Sequence, residues 1–201
     1  MNLQKKLPRK FYTRNVHIVA KELLGKFLVR KIGRKYLIGK IVEVEAYDGL
    51  VDEAAHTYSG RTKRNEVMFN EGGFLYVYFT YGMHFCSNVV TGKLNEGKAV
   101  LLRALEPVNG MEQMAINRFW GKNISAWELK DLTNGPAKIC RAFGIAHSEN
   151  GTDLTGEEIF ILASPRINAN KIASSTRIGI KKSVDLPWRY YIKNNSFLSR
   201  K

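Results

Sequence analysis

The segment IVEVEAYDG at positions 41–49 places acidic and aromatic side chains in an alternating pattern. Because the side chains of a β-strand point alternately to its two faces, Glu43, Glu45 and Tyr47 are predicted to share one face. The aliphatic residues between them share the other, packed face. A carboxylate at the end of such a strand can act as a general base when a water molecule lies within reach. The competing interpretation is a solvated polar face that carries ordinary acids.

The acids near this segment also raise the possibility of a metal site. Residues 41–57 hold five acids and no lysine or arginine. Carboxylates can hold Mg²⁺ in a nuclease, and those available here are Glu43, Glu45, Asp48, Asp52 and Glu53. Ligands of Mg²⁺ usually converge from separate elements, whereas these lie in one segment. No CxxC or HxxxH spacing accompanies His56, His84 and Cys86 to indicate zinc. We therefore expect no metal ion and no other cofactor.

A second cluster of chemistry-bearing residues lies in LYVYFTYG at positions 75–82. Tyr76 and Tyr78 share a predicted strand face, and Tyr81 stands beside Gly82 at the tip of a predicted hairpin. Aromatic side chains stack on unpaired bases, and a side chain on a turn can enter the minor groove and unstack a base step. An aromatic on a strand, such as Tyr76, is usually a core residue, whereas Tyr81 together with Tyr47 and Tyr78 suits an aromatic box for a nucleobase turned out of the double helix.

The distribution of charge supports a nucleic-acid partner. The net charge is +14, with twelve basic residues against one acid in positions 1–40 and nine against one in positions 161–201. The centre, positions 41–160, has a net charge of −5. Basic ends favour a polyanion through counterion release, and the acidic centre suggests a site between them. The alternative is a basic surface that serves solubility alone.

Hydrophobic periodicity predicts the elements that must position these residues. The 201 residues, 44% of them hydrophobic, suit one globular domain. Helices are predicted over 15–25, after Asn109 and over 134–144, where a proline stands in the first turn. Strands are predicted at 27–32, 35–47, 74–79, 84–90 and 98–107, and near 158–162, 176–180 and 188–192.

This mixture of helices and strands lacks regular βαβ alternation. We therefore expect the α+β class: a single mixed domain with a curved, largely antiparallel β-sheet, flanking helices and a protruding β-hairpin. The domain is predicted to span residues 11–201, after a flexible basic leader at 1–10. Cys86 and Cys140 each lie in an apolar run and are expected to be buried thiols.

The chain shows no signal-peptide pattern and no apolar run of the ~20 residues that a membrane span needs. We expect a soluble intracellular monomer with no membrane partner. It would be cytoplasmic and nucleoid-associated in a prokaryote and nuclear in a eukaryote.

The motifs together resemble the alkyladenine (3-methyladenine) DNA glycosylase family. The similarity extends from about Phe11 to Tyr191 and follows one order along the chain. The matching segments are IVEVEAYDG, DEAAH, RNEVMF, LYVYFTYGMHFCSNVV, LLRALEP, NGPAKICRAFGI and RIGI. The pair EAYxGxxDEAAH and YVYxxYGMxFCxN is the most specific part of the match.

The resemblance implies a role for individual residues. Glu45 matches the general base that activates the attacking water, and Arg103 matches the residue that helps to hold that water. Tyr47 matches one aromatic wall of the base pocket. His56 matches the opposite wall and a hydrogen-bonding point, and Tyr78 matches a further stacking wall.

Three more positions carry implied roles. Asn88 matches the residue that meets the 2-amino group of normal guanine and disfavours that base. Tyr81 matches the wedge that fills the space left by the flipped nucleotide, and Met68 lies in a segment that borders the DNA. The loop between His56 and Met68 and the segment GKLNEGK differ in length from the vertebrate members, which leaves the breadth of substrates open.

The implied activity is the excision of damaged purines from double-stranded DNA by hydrolysis of the N-glycosidic bond. No lysine falls within the matched pocket segments as a Schiff-base nucleophile, so we expect hydrolysis without strand cleavage. The leading alternative is a non-enzymatic nucleic-acid-binding protein of the same fold. An acid and an arginine in the pocket favour the enzyme. The preferred lesion among 3-methyladenine, 7-methylguanine, hypoxanthine and ethenoadenine stays open.

Overall fold

The computed structural model describes residues 5–121 and 123–200, which form a curled antiparallel sheet flanked by helices. The strands are β1 Phe27–Ile32, β2 Lys35–Asp48, β3 Leu75–Thr80, β4 His84–Thr91, β5 Lys98–Asn109, β6 Ile159–Leu162, β7 Ile172–Ser175 and β8 Arg189–Ile192. The helices are α1 Arg9–Tyr12, α2 Val16–Leu23, α3 Met111–Phe119, α4 Ala126–Asp131 and α5 Pro136–Phe143. The predicted α+β class and antiparallel sheet are confirmed.

The long strand β2 organises the sheet. The strand order is β3-β4-β5-β2-β1-β6, and β8 pairs with both β2 and β7. Along one edge β2 pairs first with β1 and then, at Glu43–Glu45, with β8, while β5 occupies its other edge. Register shifts between β2 and β5 lie on both sides of Glu43. Such bulges bend a strand and re-aim side chains, and these bulges lie beside the acids of β2.

The apolar face of the sheet packs against α2, α3 and α5. Val44 and Ala46 of β2 are buried in this core, as the alternation predicts. The side chain of Asn15 accepts a hydrogen bond from the backbone N–H of His17 and caps α2. Pro136 begins α5, as predicted. Both cysteines are buried free thiols, which confirms that prediction.

The hairpin of β3 and β4 lies at the end of the sheet, and its tip protrudes as predicted. Tyr81 adopts φ +51° at the turn, and its side chain is 81% exposed. The neighbouring apolar residue Met83 is also exposed. The tip therefore presents large side chains that the fold itself does not bury.

Two sequence-based boundaries differ from the structure. Strand β5 continues past Pro107 to Asn109, because a register shift at that point removes the need for a backbone N–H donor. Gly110 rather than Asn109 is then the N-cap of α3. The strand predicted near 176–180 is wrong, because those residues form an irregular segment after β7 in which Gly179 takes φ +79°.

The first described residues lie against the sheet. The N–H of Leu7 donates to the carbonyl of Ile161 at 2.9 Å, and the N–H of Ala163 donates to that of Lys5 at 2.8 Å. Leu7 is buried. For residues 5–10 this differs from the flexible leader expected at 1–10, because backbone pairing with β6 holds them, and residues 1–4 lie outside the described part. No helix in the described ranges is long and apolar enough to cross a membrane.

Candidate active site

A cavity of about 450 Å³ opens beside the end of β2. Pockets of a few hundred Å³ are typical of small-molecule sites. Its wall includes seven of the eight site residues predicted from the sequence: Tyr47, His56, Met68, Tyr78, Tyr81, Asn88 and Arg103. The eighth, Glu45, lies directly behind the wall. The fold thus gathers residues that are spread over nearly sixty positions of the chain.

Glu45 is fully buried, and the residues that it contacts line the cavity. Its Oε2 accepts a hydrogen bond from the Tyr47 hydroxyl at 2.8 Å, and its Oε1 accepts one from the backbone N–H of Ile178 at 2.8 Å. The Arg103 guanidinium Nη1 lies 3.3 Å from the same Oε1. The carboxylate is therefore held at a fixed point one layer behind the cavity surface, and the solvated-face interpretation is wrong.

Arg103 stands at a break in the pairing of β5 with β2. Ala104 pairs with Glu43 and Leu102 pairs with Val44, so Arg103 itself has no partner in the register. Its guanidinium Nε donates to Glu43 Oε1 at 3.2 Å. Because a bulge turns a side chain out of the regular alternation, this arginine reaches both acids of β2 and also the cavity.

Glu43 has a different environment from Glu45. Its carboxylate accepts hydrogen bonds from Arg103, from Arg189 Nε at 2.7 Å and from the backbone and hydroxyl of Ser199 at 2.6 and 2.7 Å. These partners cover it completely, and it does not line the cavity. The shared face of β2 thus contains one acid buried beneath the C-terminal segment and one acid behind the cavity wall.

One side of the cavity is an aromatic cluster. The rings of Tyr76 and Tyr78 are stacked with centroids 5.6 Å apart, and His56 meets Tyr78 edge-on at 4.5 Å. His56 Nδ1 lies 3.1 Å from the Tyr76 hydroxyl. Burial, together with the nearby charge of Arg64, lowers the pKa of His56, so the imidazole is neutral at pH 7. Burial raises the pKa of Tyr76 to about 12.

Tyr47 is held from two directions. Its hydroxyl donates to Glu45, and the Arg177 guanidinium lies over its ring at 4.6 Å from the centroid. Burial first, and then the charge of Glu45, raise the pKa of Tyr47 well above its ordinary value, so the phenol keeps its proton. Arg177 is in turn paired with buried Asp52, with Nη2 donating to Oδ1 at 2.8 Å. The wall ring is therefore fixed by buried ion pairing.

Other predicted residues complete the wall. Asn88 is buried, and its Nδ2 donates to the carbonyl of Tyr76 at 3.3 Å, which leaves its oxygen as an acceptor. Met68 is buried in the segment that follows His56. Cys86 also lines the cavity, and burial raises the pKa of its thiol, so it is not a ready nucleophile.

The mouth of the cavity carries positive charge. Arg64, Lys181 and Lys182 line it, and all three are exposed. Arg64 also donates to the carbonyl of Phe79 at 3.2 Å, which ties the mouth to the hairpin. No lysine is expected in the matched pocket segments, and the structure brings two lysines to the mouth directly after RIGI.

The five acids of residues 41–57 do not converge on one point. Besides the contacts of Glu43, Glu45 and Asp52, the carboxylate of Asp48 lies 3.4 Å from Lys98 Nζ, and that of Glu53 lies 3.5 Å from Lys182 Nζ. Each acid therefore has a cationic partner. Among the described residues no three potential metal ligands of the His, Cys, Asp and Glu types come together. This arrangement does not favour the metal-nuclease alternative.

Sequence reasoning missed several residues that build the site. Arg177 and Ile178 lie in RIGI, which marked the family resemblance without a role for its members. Asp52 was noted only as an acid. Ser199 carried no signal at all, because its contact with Glu43 joins positions 156 residues apart.

Comparisons with known proteins place the chain in one family. The family model described as methylpurine-DNA glycosylase (MPG) matches residues 10–196. A relative from Carboxydothermus hydrogenoformans, which carries the name "Putative 3-methyladenine DNA glycosylase", is 50% identical over 196 residues, covering 97% of this chain and 99% of its own. Relatives of the same name from Francisella tularensis and Alkaliphilus oremlandii are 50% and 46% identical, covering 90% and 98% of this chain and 92% and 100% of their own.

Fold, site and relatives define a DNA glycosylase for methylated purines, a hydrolase that cleaves N-glycosyl bonds. The chain belongs to the methylpurine-DNA glycosylase family. The match spans nearly the whole chain and contains every residue of the candidate site except Ser199.

Proposed function

We propose that this protein flips alkylated or deaminated purines out of double-stranded DNA and hydrolyses their N-glycosidic bond, with Glu45 as the general base. The observation that carries the proposal is the contact of one buried carboxylate with three groups of the cavity wall: the Tyr47 hydroxyl, the Ile178 N–H and the Arg103 guanidinium. A base binding site thus lies directly in front of an acid that the protein holds in place.

The proposed reaction separates the base from C1′ of the sugar. As the C–N bond breaks, its electron pair leaves with the base and the sugar acquires oxocarbenium character. The Glu45 carboxylate stabilises that cation and takes a proton from water, and the water oxygen bonds to C1′. Arg103, next to the carboxylate, can hold the water. A purine that is already cationic, such as 3-methyladenine, leaves most easily.

The buried position of Glu45 sets a condition on this mechanism. A carboxylate has about four lone-pair positions, and among the described residues Oε2 receives one hydrogen bond, from Tyr47. One acceptor position therefore remains on the oxygen that faces the wall. A water at that position would lie between Glu45 and the cavity after a small movement of the Tyr47 hydroxyl, and catalytic contacts often tighten only when substrate binds.

The walls suit a flat, electron-poor base. Stacked tyrosines attract a cationic ring by roughly 0.5–2 kcal/mol, and a neutral His56 adds no positive charge against it. Asn88 presents an acceptor and a donor to the edge of the base. Damaged bases also cost less to unpair and unstack than normal ones, which favours lesions before the chemical step.

We propose hydrolysis without strand cleavage. Lys181 and Lys182 lie at the mouth of the cavity. Lys182 pairs with the carboxylate of Glu53. Arg177 donates to the carbonyl of Ser183 and so holds the adjoining segment. The proposed nucleophile is water behind the base rather than an amine. Borohydride trapping tests this directly: no covalent protein–DNA adduct is expected during excision.

The decisive test replaces Glu45 with glutamine. The variant should bind a hypoxanthine or 3-methyladenine duplex as tightly as wild type. It should lose roughly 10²–10⁴-fold in single-turnover excision, because the amide cannot accept the proton. The measurement is the formation of alkali-labile sites in single-lesion duplexes. Glu158→Gln, an acid outside the cavity, is the matched control and should keep wild-type rates.

Two results would contradict the proposal. Undiminished excision by Glu45→Gln would show that Glu45 is not the general base. Binding of lesion DNA by wild type without any alkali-labile sites would instead favour the non-enzymatic nucleic-acid-binding alternative.

We further propose that the protein acts as a monomer on chromosomal DNA in the cytoplasm, since the relatives named above are bacterial.

A further inference from the structure

The C-terminal segment reaches the base of the active site through Ser199. The backbone N–H of Ser199 donates to Glu43 Oε2 at 2.6 Å, and its hydroxyl donates to Glu43 Oε1 at 2.7 Å. The same hydroxyl oxygen accepts from Arg103 Nε and Nη2, each at 3.3 Å. The side chain of Ser199 thus joins Glu43 of β2 to Arg103.

The planarity of the guanidinium gives this contact a consequence. Glu43 and Ser199 engage two of the three guanidinium nitrogens, Nε and Nη2. Because the group is a rigid fork, fixing two nitrogens also fixes the direction of the third. That third nitrogen is Nη1, which lies 3.3 Å from Glu45 Oε1. Glu43 and Ser199 together therefore constrain where the guanidinium meets Glu45.

A second anchor holds the segment in place. Arg189 of β8 donates from Nε to Glu43 at 2.7 Å and from Nη2 to the carbonyl of Arg200 at 2.7 Å. Glu43, Glu45, Arg103 and Arg189 form a buried group of two negative and two positive charges. Removing one hydrogen bond from such a group alters the geometry of the others, since buried charges tolerate few alternative arrangements.

We propose that Ser199 is a positioning residue for excision: through Glu43 and Arg103 it holds the guanidinium against the Glu45 carboxylate. The inference rests on the proposed roles of Glu45 and Arg103. It reaches beyond the family match, which ends at residue 196, three positions before Ser199. Groups that orient a catalytic side chain commonly affect rate by one to two orders of magnitude.

The test compares three variants of the full-length chain on a single-lesion duplex. Ser199→Ala should lower the single-turnover excision rate roughly tenfold or more, with DNA affinity and melting temperature close to wild type. Ser199→Thr keeps the hydroxyl and should restore most of the rate. Ser196→Ala, in the same segment and exposed, is the matched control and should match wild type.

A double-mutant cycle identifies the path of the effect. If Ser199 acts through Arg103, Ser199→Ala should cost little further rate in an Arg103→Ala background. Additive losses would overturn the proposal, as would an unchanged rate in Ser199→Ala or a loss in Ser199→Ala that threonine does not rescue.

The Glu45→Gln variant separates a failure of this inference from a failure of the proposed function on which it rests. Inactive Glu45→Gln with fully active Ser199→Ala overturns only the positioning role. Fully active Glu45→Gln overturns the proposed general base and the positioning role together.

Discussion

Glu43 and Glu45 lie two residues apart on β2, share one face and have different surroundings. Glu43 is covered by Arg103, Arg189 and Ser199. Glu45 has one oxygen that meets only the Tyr47 hydroxyl among the described residues. Alternation along a strand places both acids on one side, but the neighbouring segments determine which of them contacts the residues of the cavity wall. For this reason we propose a structural role for Glu43 and a catalytic role for Glu45.

The charge of His56 offers a prediction at the scale of single residues. Burial and the nearby Arg64 lower its pKa. Replacing Arg64 with glutamine removes the cation but leaves the imidazole buried, so the pKa of His56 should rise toward 6.5 without reaching it. An NMR pH titration of the imidazole signals measures this shift.

His17 is the internal control for this titration. Burial also lowers its pKa, but the charges that influence it are those of Asp48, Lys21, Lys98 and Arg177, so it should not respond to Arg64. An unchanged or lower pKa of His56 in Arg64→Gln would show that Arg64 does not govern the charge of the base pocket.

Among the elements, the β3–β4 hairpin is the one built to leave the domain surface. Tyr81 holds a left-handed backbone conformation at φ +51° that a tyrosine rarely adopts, and its ring packs little against the fold. An exposed aromatic ring in a strained turn at the edge of the cavity suits insertion into a base stack. Tyr81 also lines the cavity, so the proposed wedge adjoins the proposed pocket for an extruded base.

Truncating this side chain should weaken capture of the flipped nucleotide. Stacking contributes roughly 1–3 kcal/mol per base, so Tyr81→Ala should lower the flipped population about tenfold and leave the melting temperature unchanged. Fluorescence of 2-aminopurine placed beside the lesion reports the unstacking. Trp120→Ala removes another highly exposed aromatic ring and should have no effect. Equal signals from all three proteins would refute the wedge role.

The segment after β7 shows how an element can be misassigned. RIGI contains alternating apolar residues that predict a strand, yet the N–H of Ile178 and the guanidinium of Arg177 donate to side chains and backbone carbonyls of other segments. Ile178 donates to Glu45, and Arg177 donates to Asp52 and to the carbonyl of Ala46. These bonds hold the segment as cavity wall instead of as a strand of the sheet.

At the scale of the whole molecule, charge is placed where DNA would lie. The cavity mouth carries Lys181 and Lys182, whereas Arg34 and Lys35 lie at the β1–β2 turn. Strand β2 runs from Lys35 to Asp48, a length on the order of 40 Å at ~3.3 Å per residue. The two pairs of cations thus stand at opposite ends of one strand.

This arrangement predicts a position-dependent salt effect. Changing Lys181 and Lys182 together to glutamine should reduce the slope of log affinity against log salt by roughly 1–2, because each lost phosphate contact removes about 0.9. Changing Arg34 and Lys35 together produces the same net charge and should leave the slope near wild type. Fluorescence anisotropy with an undamaged duplex at several salt concentrations measures both, and identical slopes would place the DNA elsewhere.

The sequence by itself determined the class of fold, most elements and eight candidate site residues, seven of which line the cavity. Helical and strand periodicity are local properties, and so are the cap at Asn15 and the proline that begins α5, which is why these predictions are confirmed. The site residues were assigned from motifs that resemble those of a family. Such motifs give the spacing of the residues along the chain but not their geometry.

Only the tertiary structure decided how those residues meet. The bond from Ile178 to Glu45 spans 133 positions, and the bond from Ser199 to Glu43 spans 156. No local pattern encodes contacts of that range, because they arise from the order and register of strands in the curled sheet. That packing buries Glu45 behind Tyr47 and places the bulge that turns Arg103 inward. It also brings the C-terminal segment over Glu43.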